Sequence, residues 1–192
     1  MRHIEPKLVE FLDEKLAQNG LAQQALANKD ARTLFRLAAE ACVGIREQGG
    51  NNKGPLVELM QKTVDGKAQA EAWCMAFVQS MLAYAELKTG VKSPIPASEH
   101  CQTVFLRSEV ASRVKISPLP GAIVVWQHGA SSNGHTGIVL GCDDKVFHAV
   151  EGNTEAGMLN GHVERDGGGV YYTVRDRMRS GDMKVMGFLK PF

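Results

Sequence analysis

The sequence has no run of eighteen apolar residues, so no membrane-spanning helix is expected. It has no C-x-x-C pair. Its four cysteines, Cys42, Cys74, Cys101 and Cys142, lie far apart along the chain, which excludes zinc-ribbon readings. No conventional secretory signal is expected either: acidic residues interrupt the opening M-R-H-I-E-P-K-L-V-E, and no apolar stretch follows. An excess of one charge is also missing. There are 22 basic and 21 acidic residues, so nothing argues for a nucleic-acid-binding face. No internal repeat or low-complexity tract is visible. What remains is ordinary globular composition, 44% hydrophobic and 22% charged over 192 residues. That length suits one domain, or one domain with an extension, and folding requires neither disulfides nor metal. At least three cysteines are therefore expected as thiols, mostly small buried residues.

Helical signals come first. Pro6 suits a first helical position, and Leu8, Phe11, Leu12 and Leu16 form a stripe before Gly20. A short helix is expected near 21–28. Asp30 is placed to cap another, with the stripe Leu34, Leu37, Ala38, Ala41 and Ile45 ended by Gly49-Gly50. After the turn-rich G-G-N-N-K-G, Pro55 opens a helix to about Val64. A further helix runs from about Cys74 to Lys88, and Ser98 is expected to cap a shorter one near 99–107. Beyond Pro118 the texture becomes β-branched. Strands are expected at 122–127, 136–140, 145–150, 170–174 and 185–189. Helices followed by hairpin-ordered strands predict an α+β fold with a mostly antiparallel sheet. The expected division is a helical extension over 1–48, packed on a core domain over 49–192.

Three positions suggest chemistry together. Cys74 falls in the first turn of a helix, where free N–H groups and the macrodipole favour a thiolate; alone it would read equally as a buried structural cysteine. His135, in N-G-H-T-G-I-V-L-G, opens a strand, and its flanking glycines leave room for a substrate or a helix. Glu151 and Asn153, in V-E-G-N-T, share a face if the strand continues. Either could then orient the histidine toward Cys74, although the same residues also suit a turn. Cysteine on a helix, histidine on a strand and a polar residue on the next strand is the papain order.

The segments E-A-W-C-M-A-F-V, P-G-A-I-V-V-W, G-H-T-G-I-V-L-G and V-E-G-N-T resemble those of the CHAP family, the cysteine, histidine-dependent amidohydrolases and peptidases. The lead-in G-G-N-N-K-G-P resembles its phage-type branch, and the resemblance spans roughly 40–192. It implies a papain-like fold, with Cys74 as nucleophile, His135 as general base, Glu151 as the residue orienting the histidine, and Asn153 as a second polar member. It also implies amide hydrolysis in peptidoglycan, at the muramoyl–L-alanine bond or at a stem or cross-bridge peptide bond, as in an endolysin. Ala122 stands where an acidic residue is common in the family. Neither a calcium-binding acidic loop nor wall-anchoring modules are evident.

Gln69 and Asn52 are candidate second oxyanion donors, Asn51 being another, and Trp73 and Trp126 candidate groove-lining residues; loop polarity and aromatic packing are their plainer readings. No cofactor and no metal are expected: His100, Cys101 and His128 lack a ligand spacing. Arg175, Asp176, Arg177, Met178 and Arg179 read as an exposed strand end. The expectation is a monomer made in the cytoplasm that acts on the cell wall after release or injection. Two alternatives stay open. One is a binding module of a phage or secretion assembly that keeps the fold without using the chemistry. The other is an amidase acting on a small amide or a protein.

Overall fold

The computed structural model describes residues 2–114, 118–155, 168–177 and 179–192. Six helices precede the sheet: α1 (Pro6–Leu16), α2 (Gly20–Ala27), α3 (Ala31–Ala41), α4 (Pro55–Asp65), α5 (Cys74–Thr89) and α6 (Cys101–Arg107). Their ends follow local chemistry. Asn19 and Asp30 accept backbone N–H bonds at the starts of α2 and α3, which satisfies donors that the first turn leaves unpaired. Pro6 and Pro55 begin α1 and α4. Gly66 and Gly90 close α4 and α5 in the left-handed conformation. One expectation fails here. The α6 cap is His100, whose Nδ1 accepts from Thr103 N–H at 3.3 Å, while Ser98 Oγ, two residues earlier, accepts from His100 N–H.

The strands are β1 (Arg113–Val114), β2 (Ile123–His128), β3 (Gly134–Cys142), β4 (Val146–Thr154), β5 (Gly169–Asp176), β6 (Arg179–Ser180) and β7 (Met183–Leu189). They form one antiparallel sheet in the order β1-β7-β2-β3-β4-β5, with β6 attached to β7. The architecture is α+β, helices first and antiparallel sheet after, consistent with a papain-like fold.

Alternation along β2 separates two apolar clusters. Ile123 and Val125 face the helices, together with Ile138 and Val150. Val124 and Trp126 face the other way, with Val139, Phe147, Ala149 and Phe188. Helix α5 is apolar on nearly all sides and correspondingly buried. It packs against α3 and α4 and against β3 and β4. Leu8, Leu12, Leu34 and Phe35 from the first helices share its core with Phe77, Val78 and Met81. Arg2 adds polar ties, its guanidinium donating to Gln79 and Glu86 on α5 and to the Ile95 carbonyl. The fold thus clamps the helix that begins with Cys74 from both sides.

Candidate active site

Helix α5 starts at Cys74. Its thiol is nearly buried, at 6% exposure, and three neighbours act on it. Cys101, the first residue of α6, places its Sγ 3.7 Å from Cys74 Sγ. His135 and the Met75 backbone N–H also favour its thiolate form. The Cys101 hydrogen bond is the strongest influence. With His135 it overcomes burial and holds the Cys74 thiol well below the ordinary thiol range. Cys101 shifts the opposite way, raised by that same hydrogen bond and by burial, so it remains a thiol that donates S–H.

His135 is the second residue of β3, directly opposite Trp126 on β2. The two rings stack at 5.5 Å between centroids and 24° between planes. Stacking fixes the imidazole plane, and the electron-rich indole face favours its cationic form. His135 Nε2 lies 2.9 Å from Glu151 Oε2, so Nδ1 is the nitrogen left for Cys74. Burial disfavours the imidazolium, but hydrogen bonds to Cys74 and Glu151 outweigh it and raise His135 to about 9.

Glu151 is fully buried on β4. A lone carboxylate there would be costly, and four donors answer it. Arg175 on β5 donates Nε–H to Oε1 at 2.9 Å and Nη2–H to Oε2. Thr173 Oγ1 donates to Oε1, and His135 completes the set. Burial pushes the carboxyl up, yet Arg175 first and His135 second bring Glu151 down to about 2. The Arg175 guanidinium also lies 6.0 Å from the Trp126 ring centroid. Residues 147, 149 and 151 of β4 share a face with their β5 neighbours 171, 173 and 175, which is why these side chains meet.

Two glycines make this approach possible. A Cβ at Gly137 would stand 2.6 Å from Glu151 Cγ. One at Gly134 would stand 2.5 Å from the Trp126 carbonyl and 3.1 Å from Cys101 Cβ. The room expected beside His135 is taken by Glu151 and α6.

Several expectations need correction. Arg175 does not belong to an exposed strand end: it is 4% exposed and anchors Glu151. Within the rest of that run, residue 178 lies outside the described residues. Trp73 and Trp126 are fully buried and offer no face to a substrate. Trp73 instead donates its indole N–H to Glu47 at 2.8 Å, fastening the 46–54 loop. Gln69 is exposed and Asn52 buried; among the described residues neither hydrogen-bonds to Cys74 or His135. Asn153 does not share the regular phase of Glu151. It sits at φ 54 where the β4–β5 register shifts, and its buried Oδ1 has no partner among the described residues. Of the two, Glu151 is the one that hydrogen-bonds the histidine. Among the described residues no group of three His, Cys, Asp or Glu side chains is placed to hold a metal, and no helix is long and apolar enough to cross a membrane.

The arrangement is a buried thiol, an imidazole and a carboxylate in series, with the carboxylate locked by a guanidinium. Residues 65–153 match the CHAP domain family. The match takes in Cys74, His135, Glu151 and Asn153 and stops short of Thr173 and Arg175. CHAP domains are cysteine, histidine-dependent amidohydrolases and peptidases, and the domain implies an enzyme of that kind acting on peptidoglycan. No curated protein and no solved structure matches the chain.

Proposed function

We propose that this CHAP domain hydrolyses amide bonds of peptidoglycan with Cys74 as nucleophile, His135 as general base and acid, and Glu151 as the group that orients His135. The observation that carries the reading is the His135–Glu151–Arg175 chain of hydrogen bonds, with His135 among the influences that lower the Cys74 thiol. A lowered thiol beside a raised imidazole makes thiolate and imidazolium the resting pair near neutral pH.

The thiolate attacks the amide carbonyl carbon. Charge moves to the carbonyl oxygen, where the Cys74 backbone N–H at the start of α5 stabilises it. His135 gives the proton on Nδ1 to the departing amine as the C–N bond breaks, leaving a thioester. Water then attacks the thioester while His135, now neutral, accepts its proton. Hydrolysis releases the acid and restores the thiolate. Glu151 remains charged throughout, because Arg175 and Thr173 hold it as an acceptor for Nε2–H. Asn153, whose buried Oδ1 has no partner among the described residues, is the second polar member of the site. The helices before residue 49 form an extension that buttresses α5. The phage-type lead-in around Asn51 and Asn52 supports a lysin-like role.

The bond cut is either the muramoyl–L-alanine amide or a peptide bond of the stem or cross-bridge. Mass spectrometry of fragments released from purified peptidoglycan distinguishes them. Free stem peptides beginning at L-alanine identify an amidase. Split peptides still attached to sugar identify an endopeptidase. Release of neither, by folded protein, overturns the substrate assignment.

A further inference from the structure

We propose that Cys74 and Cys101 form a reversible disulfide when the enzyme meets a hydroperoxide, and that Cys101 thereby protects the nucleophile from irreversible oxidation. The inference rests on the reading of Cys74 as the reactive thiol. It adds a modification site that peptide hydrolysis does not require.

The geometry sets this pair apart from the other cysteines. Cys74 and Cys101 open α5 and α6, and their sulfurs are 3.7 Å apart. A disulfide needs about 2.05 Å, so the sulfurs must close roughly 1.7 Å to bond. Cys101 is held in place from behind. A Cβ at Gly134 would meet Cys101 Cβ at 3.1 Å, and Gln102 donates to the carbonyls of Ser131 and Asn133 at 2.9 and 2.8 Å. The other two thiols are committed elsewhere. Cys42 contacts Met81 Sδ at 3.8 Å, and Cys142 faces the Pro118 carbonyl at 3.5 Å.

The chemistry balances with the hydroperoxide as oxidant. The Cys74 thiolate attacks one peroxide oxygen, the O–O bond breaks, and the departing oxygen leaves as water or alcohol with the proton of the His135 imidazolium. Cys74 is then a sulfenic acid, oxidised by two electrons. The Cys101 sulfur attacks it, the S–S bond forms, the S–O bond breaks, and water departs with the Cys101 proton. A dithiol reverses the bond by exchange. Without a second thiol, further peroxide drives the sulfenic acid to sulfinic acid, which dithiols do not reduce.

The test starts from fully reduced full-length protein treated with hydrogen peroxide, alkylated with iodoacetamide and analysed by peptide mass spectrometry, with peptidoglycan release measured in parallel. The expected result is a Cys74–Cys101 linked peptide, lost activity and its return with dithiothreitol. Cys101→Ser, compared with its own untreated activity, is expected to accumulate sulfinic acid at Cys74 and to stay inactive after dithiothreitol. Oxidised wild type carrying sulfinic acid at Cys74 and a free Cys101 overturns the proposal. Linkage of Cys74 to any other cysteine overturns it as well. If the reduced protein releases nothing from peptidoglycan, the proposed function fails, while the linked peptide still decides this inference.

Discussion

Replacing Arg175 with methionine probes the site at its most buried charge. Glu151 has no exposed surface, Arg175 has 4%, and the guanidinium gives the carboxylate two of its four hydrogen bonds. Glu151 titrates at about 2 in the fold against an ordinary 4.5, with Arg175 the largest influence favouring the charge. At 1.36 kcal/mol per pH unit this difference corresponds to about 3 kcal/mol at neutral pH. Arg175 is one of several influences in that net shift, and removing one partner of a buried pair costs about 3–5 kcal/mol. For a protein of this size a loss of about 3 kcal/mol lowers the melting temperature by roughly 6–12 °C. Glu151→Gln/Arg175→Met removes both charges and is expected to be more stable than the sum of the single losses implies. Chemical denaturation of the four proteins at neutral pH measures both quantities. An Arg175→Met protein within about 0.5 kcal/mol of wild type, or strictly additive losses, refutes the buried-pair reasoning. The stabilisation also has a pH signature. Because the folded value lies below the ordinary one, it is complete above about 4.5 and disappears as pH falls toward about 2.

Other expectations concern the reaction. His135 is raised from 6.5 to about 9, so its charge stabilises the fold fully below about 6.5 and that contribution is lost as pH rises through about 9. The kcat/KM profile should fall along a basic limb near that value, and a limb centred at the ordinary histidine value contradicts the proposed ion pair. Gly137→Ala forces a methyl to 2.6 Å from Glu151 Cγ and should lower activity on the order of 10²-fold by displacing the His135 acceptor; steady-state kinetics on the folded variant checks this, and unchanged kinetics refutes it. Iodoacetamide near neutral pH should label Cys74 before Cys42, Cys101 and Cys142, and peptide mass spectrometry showing another order refutes the lowered thiol.

Much of the candidate site is legible in the sequence, and the reason is local. Asp30, Pro55, Gly66 and Gly90 mark the ends of α3, α4 and α5 through capping and backbone geometry. The α+β order followed from a change in periodicity. What escaped depended on pairings distant in sequence. Arg175 reaches Glu151 across the β4–β5 register, and a charged residue after Val174 reads as a strand end until a buried carboxylate is known to need it. Cys101 reaches Cys74 only because α6 docks beside α5, against Gly134. Trp126 looked available to substrate because nothing local reveals that it covers His135. Asn153 was placed by strict alternation, which the register shift after Glu151 interrupts.

Cleavage of a peptidoglycan amide by the Cys74 thiolate is tested most directly by digesting purified peptidoglycan with wild type and with Cys74→Ala, equal folding being shown by circular dichroism. Fragment release by wild type and none by Cys74→Ala is expected. Equal release by both proteins contradicts the nucleophile assignment.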